Sequence, residues 1–193
     1  MRLLLSNKLL IFTYCIAIAI CFQSCGENKS SVISADKTYF DLSKLIQNDI
    51  DHNTANECSE EKTVYIKGTK ETKKNDTINW QKELQPLLEC DINRTAWKGK
   101  FFIDTVASNL TKDTTLQYRA LDEKVSVRSL SVVYANSQIK RIIIVKKIES
   151  FLFSTVQTID YIPNMGFVIR GEQKALMMNA FDLNVDVKYL CKN

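Results

Sequence analysis

The residue types that do chemistry are sparse in this chain and poorly placed for it. His52 is the only histidine in 193 residues, so a Ser-His-Asp or Cys-His arrangement would depend on a side chain that sits among polar neighbours. Cysteines stand at 15, 21, 25, 58, 90 and 191. With a single histidine, spacings this wide do not make a zinc site. Five scattered glycines leave no phosphate-cradling loop. Carboxylates are plentiful, 22 in all, and Glu89, Asp91 and Asp104 are those from which a glycoside-hydrolysing pair could be drawn. Such a pair is defined by its separation in space, so solvation or capping is the expectation for each. Trp80, Trp97, Phe101 and Phe102 are the strongest aromatic group. They could line a lipid or glycan pocket, but Trp80 lies on an apolar stripe, which favours a role in fixing helices to a sheet. Neither a cofactor nor a metal is expected.

The N-terminus is more informative. Residues 1–24 carry Arg2 and Lys8, no acidic residue, and an apolar run of about 14 residues from Leu9 to Phe22. That run suits a signal peptide and falls short of the roughly 18 residues that span a bilayer. It ends in Phe22-Gln23-Ser24-Cys25-Gly26, which resembles the lipobox of bacterial lipoproteins, although Phe22 and Gln23 are unusual at their positions. The resemblance implies removal of residues 1–24, a diacylglyceryl group on the Cys25 thiol and acylation of its new amine. Each buried methylene is worth about 0.8 kcal/mol and two or more chains hold stably, so the rest of the protein needs no membrane-binding surface of its own. Residues 25–37 are polar and read as a tether. Gly26 lacks the aspartate that retains enterobacterial lipoproteins in the inner membrane, which implies the outer membrane, on either its periplasmic or its surface face.

Removing 24 of 193 residues leaves 169, enough for one domain with a real core, assigned to residues 38–193. Arg2 and Lys8 leave with the signal, so 26 basic residues become 24 against 22 acidic, a net charge of +2. This near-neutral balance gives no electrostatic case for nucleic acid. Lysines cluster at Lys67, Lys70, Lys73 and Lys74 and around Lys140, Arg141, Lys146 and Lys147. A solvated face is the first reading, and contact with an anionic lipid or polysaccharide is the second. Cys58, Cys90 and Cys191 remain as one disulfide with a buried thiol, or as three free thiols.

The elements follow from periodicity. Asp41 caps a helix whose stripe is Leu42, Leu45, Ile46 and Ile50. Asn79 caps a second, with Trp80, Leu84, Leu87 and Leu88, which Pro86 should kink or split. Lys62 to Gly68 reads as a short strand or hairpin arm. From Lys100 the period falls to two, giving strands around Leu116–Ala120, Val125–Tyr134, Gln138–Lys147, Phe151–Tyr161, Gly166–Lys174 and Phe181–Tyr189. Asn136-Ser137 and Pro163-Asn164-Met165-Gly166 fit turns, and the parity slip near Ser129 fits a bulge. Short connections require antiparallel neighbours. The expectation is an α+β domain: two N-terminal helices on a curved antiparallel meander of six to seven strands, able to close partly into a barrel.

The chain is similar to a group of small lipoproteins of Bacteroidota. The matching pieces are Tyr39-Phe40-Asp41-Leu42, Ile78-Asn79-Trp80 with Glu83-Leu84, Asp91-Ile92-Asn93 with Ala96-Trp97, and Tyr161-Ile162-Pro163 with Gly166. Pro86 and the three mature cysteines depart from it, and it implies no activity. Asp76-Thr77-Ile78, Asp104-Thr105-Val106 and Asp113-Thr114-Thr115 resemble the Asp-Ser/Thr-apolar acceptor of O-glycosylation in that envelope, which marks Thr77, Thr105 and Thr114. The functional expectation is a membrane-anchored, non-enzymatic binding or scaffold module with an envelope protein, lipid or glycan as partner. The alternative is a carboxylate-dependent hydrolase of envelope polysaccharide or peptidoglycan. A lipid carrier requires an apolar cavity, and the hydrolase requires two carboxyl groups about 5–10 Å apart in a cleft.

Overall fold

A computed structural model describes residues 37–108, 112–176 and 178–192. Cys25, the signal segment 1–24 and all of the tether but its last residue lie outside the described residues. Residues Lys37–Asn193 group into one compact unit.

The first helix, α1 (Leu42–Ala55), starts where expected: the Asp41 carboxylate accepts from the Lys44 backbone N–H at 2.8 Å. Leu42, Ile46 and Ile50 are buried, but so are Asp49 and Asn53 on the same face, and Leu45 is only half-buried. Burying three such aliphatic side chains contributes about 1.5–3 kcal/mol each. Pro86 does split the second helical stretch, into α2 (Trp80–Glu83) and α3 (Gln85–Leu88). It sits in the first turn of α3, where a missing N–H costs no helical hydrogen bond. The expected pair of helices is therefore one helix of 14 residues and two of four, followed by a 3₁₀ turn at Thr95–Trp97.

Among the described residues nine strands form one antiparallel sheet, correcting the expected six to seven. They are β1 (Ser59–Ile66), β2 (Thr69–Asn75), β3 (Phe101–Ala107), β4 (Thr114–Ala120), β5 (Val127–Ala135), β6 (Gln138–Glu149), β7 (Phe153–Ile162), β8 (Gly166–Ala175) and β9 (Met178–Leu190). The order is β2-β1-β9-β8-β7-β6-β5-β4-β3. The two edges, β2 and β3, do not pair with each other, so the sheet is open and not a barrel. β3 to β9 are a plain meander, and the β1–β2 hairpin adds itself to the last strand through β1 and β9. β2 reads Thr-Lys-Glu-Thr-Lys-Lys-Asn and has no apolar residue, so no period marks it. It forms because Lys67 and Gly68 both take positive φ, +48° and +82°, the tight turn that folds a chain back on itself. Its lysines suit an exposed edge.

Register explains the core. Tyr118, Leu130, Ile144 and Ile159 lie opposite one another on successive strands, as do Val132, Ile142, Tyr161, Phe167 and Val187. All nine are buried on the face that α1, Trp80, Leu84 and Leu87 cover. The second row ends at Lys62, opposite Val187, and Glu83 of α2 pairs with its ammonium. The β5–β6 register shifts between Val127 and Ser129, making Arg128 the extra residue beside the expected bulge. Three strand starts need correction: β5 begins at Val127 and not Val125, β9 at Met178 and not Phe181, and β7 at Phe153, since Phe151 and Leu152 belong to the turn before it and are exposed.

The sheet has two distinct ends. The chain enters at Lys37, where Tyr39 meets Phe101 and Tyr118 edge-on, with ring centroids 5.4 and 5.9 Å apart. This proximal end also carries the β1–β2, β4–β5, β6–β7 and β8–β9 connections. α1 runs towards the distal end, where the β3–β4, β5–β6 and β7–β8 connections lie. A disulfide there joins Cys58, just before β1, to Cys191, just after β9. Cys90 is the buried thiol, so of the two cysteine arrangements left open by the sequence the first is realised.

Candidate functional site

The polar residues that α1 buries converge on the distal end. The Tyr161 hydroxyl and the Asn164 backbone N–H, the latter at 2.9 Å, both donate to the Asp49 carboxylate. These bonds tie the helix to the end of β7 and to its turn. Burial raises the Asp49 carboxyl above the usual carboxylate range, against the opposing pull of those two donors and of His52. The Tyr161 hydroxyl is pushed up by burial and by the neighbouring Asp49 charge. Gly166 closes the same turn at φ +142°, with the Val187 carbonyl oxygen 2.0 Å from where a Cβ would stand, so no other residue fits without backbone movement.

Beside it Glu60 and Tyr189 face each other across β1 and β9. The Glu60 carboxylate accepts from Asn75 Nδ2 at 2.7 Å. Its other oxygen, the Tyr189 hydroxyl and Asn53 Nδ2 are buried without a hydrogen-bond partner among the described residues. Trp80 stacks edge-on against Tyr189 at 5.0 Å. Burial comes first, and the charges of Asp49, Glu83 and Glu60 next, in holding the Tyr189 phenol protonated.

Two open grooves flank the end of β9. One, of about 790 Å³, runs between the last turn of α1, the disulfide and the segment after β2; Asn53, Thr54, Asp76, Thr77, Trp80 and Lys192 are among its walls. The other, of about 440 Å³, is largely apolar and lies over Ile162, Met165, Val168 and Leu190, with Asp160, Asp186 and Lys188 at its margins. Both volumes fall in the range of small-ligand sites.

The smaller groove supplies one candidate for a hydrolytic pair. Asp160 and Asp186 both lie opposite Val168, two strand spacings or about 10 Å apart. However, Arg141 grips both oxygens of Asp160, which commits that carboxylate to a bidentate ion pair and not to a substrate. The carboxylates singled out from the sequence are engaged elsewhere. Asp91 accepts from Ser43 Oγ at 2.6 Å and from the Asn93 backbone N–H at 3.1 Å. Asn93 in turn accepts from the Tyr39 N–H and donates to the Phe40 carbonyl, so this pair pins the start of α1. Glu89 pairs with Lys146 at 3.2 Å and Asp104 with Arg119 at 3.3 Å.

His52 is exposed on the last turn of α1, 3.2 Å from Asn56 Nδ2. The aromatic group does not assemble: Trp80 is distal, Trp97 and Phe101 meet at the proximal end at 6.3 Å, and Phe102 is exposed on the other face under Arg119. The second basic cluster is consumed by pairing, Lys140 with Asp113, Arg141 with Asp160, Lys146 with Glu89 and Lys147 with Glu149. Thr77, Thr105 and Thr114 are all exposed, and Thr77 lies on the larger groove. Cys25 lies outside the described residues.

Among the described residues no three His, Cys, Asp or Glu side chains gather to hold a metal ion. No helix there is long and apolar enough to cross a membrane. Reading the sequence missed Asn53, Glu60 and Tyr189. The signal available was a polar Asp49 and Asn53 on an otherwise apolar helix face, at the i, i+4 spacing that shares one face. Comparison with protein-family models, curated proteins and solved structures finds no match to this chain.

Proposed function

We propose that this chain is a lipid-anchored protein of a bacterial cell envelope, held in the outer membrane by acylated Cys25, and that its folded unit is a non-enzymatic binding module. The observation that carries the binding role is the larger distal groove. It combines a rigid wall, fixed by the disulfide, with polar groups from three separate segments, Thr54, Asp76 and Lys192. Few convergent polar groups on a preformed concavity are what a small-ligand site requires. A polar glycan of the envelope fits these walls better than a lipid does. The anchored reading is supported by the order basic start, short apolar run, Ser24-Cys25 and polar tether. A disulfide in the mature part agrees with an oxidising compartment.

Native mass spectrometry of the protein purified from its own membrane tests both parts. The expected mass is that of residues 25–193 plus acyl chains, with a glycan-sized ligand that dissociates on activation. Thr54→Trp, which fills the groove from α1, should release that ligand and leave the acyl mass unchanged. A chain that starts elsewhere, or carries an unmodified Cys25, overturns the anchor. A ligand unaffected by Thr54→Trp overturns the groove. Mass left on Thr77, Thr105 or Thr114 after activation reports O-glycosylation.

A further inference from the structure

The large apolar side chains left exposed are not spread evenly. Of the fourteen found among the described residues, only Val106, Ile162, Met165 and Leu190 lie towards the distal end; the other ten lie in the proximal half. The extreme cases are at hairpin tips: Phe151 is 87% exposed, Leu121 68%, and Leu152 and Leu176 63% each. These tips are built, not loose. The Ser150 N–H donates to the Phe153 carbonyl at 2.8 Å, and Ser150 Oγ accepts from the Phe153 N–H at 3.1 Å. The Leu176 N–H donates to the Leu152 carbonyl at 2.9 Å, locking the β6–β7 and β8–β9 tips side by side.

Water contact for this many ordered apolar groups is unfavourable and marks an interaction surface. The nearest charges cancel locally: Lys147 pairs with Glu149 at 2.8 Å and Lys174 with Glu172 at 3.1 Å. The partner is therefore one that takes apolar side chains without demanding charge. The chain enters at this same end. Lys37 lies twelve positions after Cys25, a contour of at most about 43 Å. The tips on β7 stand four strands from β3, beside which the chain enters, about 19 Å across the sheet. A lipid on Cys25 can thus reach the plane of the tips.

We propose that the proximal hairpin tips, led by Phe151, Leu152 and Leu176, insert into the lipid bilayer and form a second membrane contact that orients the distal groove away from it. The choice of a bilayer and the orienting role both rest on the anchored reading above; the vesicle test that follows does not. Two or more acyl chains already hold the protein, so the tips set its attitude and not its retention.

The test uses residues 26–193, which retain the whole sheet, the core and both disulfide cysteines and carry no lipid. Flotation with pure phosphatidylcholine vesicles at millimolar lipid should recover a measurable fraction, unchanged when salt is raised. Phe151→Ser/Leu152→Ser/Leu176→Ser should lower partitioning about tenfold or more, while Ile162→Ser/Met165→Ser at the distal end should leave it unchanged. Absence of binding by the parent, or equal binding by the tip variant, overturns the proposal. So does a parent that dimerises through the tips and ignores vesicles. Because Cys25 is absent, none of these outcomes depends on the anchor, whose own failure is read from the mass of the native protein.

Discussion

Tyr161 and Tyr189 show how the same residue type, buried on the same side of one sheet, can be used in two ways. Asp49 receives two donors, from Tyr161 and Asn164, and these offset part of its desolvation. Across the way, the Tyr189 hydroxyl is buried with no partner among the described residues. The two tyrosines should therefore respond oppositely to loss of the hydroxyl. Tyr161→Phe removes a bond to a carboxylate and leaves that carboxylate short of a donor, which costs about 1.5–3 kcal/mol. Tyr189→Phe removes a desolvated hydroxyl and keeps the ring against Trp80, so stability should hold or rise by up to about 1 kcal/mol. Urea unfolding of both variants measures the difference, and equal destabilisation would show that Tyr189 has a partner after all. Neither role was legible in the sequence, because the partners lie 112 residues apart for Asp49 and Tyr161 and only the folded register brings them together.

At the scale of elements the sequence was most legible where burial imposes a period. The rows through Leu130, Ile144 and Ile159 follow from alternation, and Pro86 split its helix as its missing N–H requires. β2 escaped because an exposed edge strand has no apolar face to betray it. Phe151 and Leu152 read as a strand start because apolar residues usually mean burial, and at the proximal tips they are exposed instead. The pairing of Cys58 with Cys191 was also beyond reach, since nothing local reports that the first and last strands are neighbours. That bridge spans 133 residues, and the chain-entropy argument assigns such a loop about 5 kcal/mol. Cys58→Ser/Cys191→Ser should lower the unfolding free energy by about 2–5 kcal/mol, measured from urea transitions. Cys90 will not substitute: its thiol donates to the Pro86 carbonyl at 3.2 Å, and burial pushes it up to about 11, so in the native fold it should resist alkylation. A midpoint unmoved by the double substitution would mean that the β1–β9 ladder holds without the bridge.

For the whole molecule the polarity between the two ends matters more than any single site. A polar groove and a disulfide occupy one end; the chain entry and the apolar hairpin tips occupy the other. A body tethered at one point by a short polar segment could tumble. A body that also inserts hairpin tips has one face committed to the bilayer and the other presented to the aqueous side, where a groove is useful to a soluble glycan. This arrangement has a consequence for the acylated protein on vesicles that no local variant tests. Lys174 stands at the proximal tips and Lys192 beside the distal groove, with side chains 66% and 82% exposed. In solution a membrane-impermeant amine reagent should modify both readily. On vesicles, labelling of Lys174 should fall several-fold while that of Lys192 stays unchanged, read peptide by peptide by mass spectrometry. Equal labelling of the two would mean that the body tumbles on its tether. Protection of Lys192 in place of Lys174 would put the groove against the membrane and turn the proposed binding module into one that reads lipid headgroups.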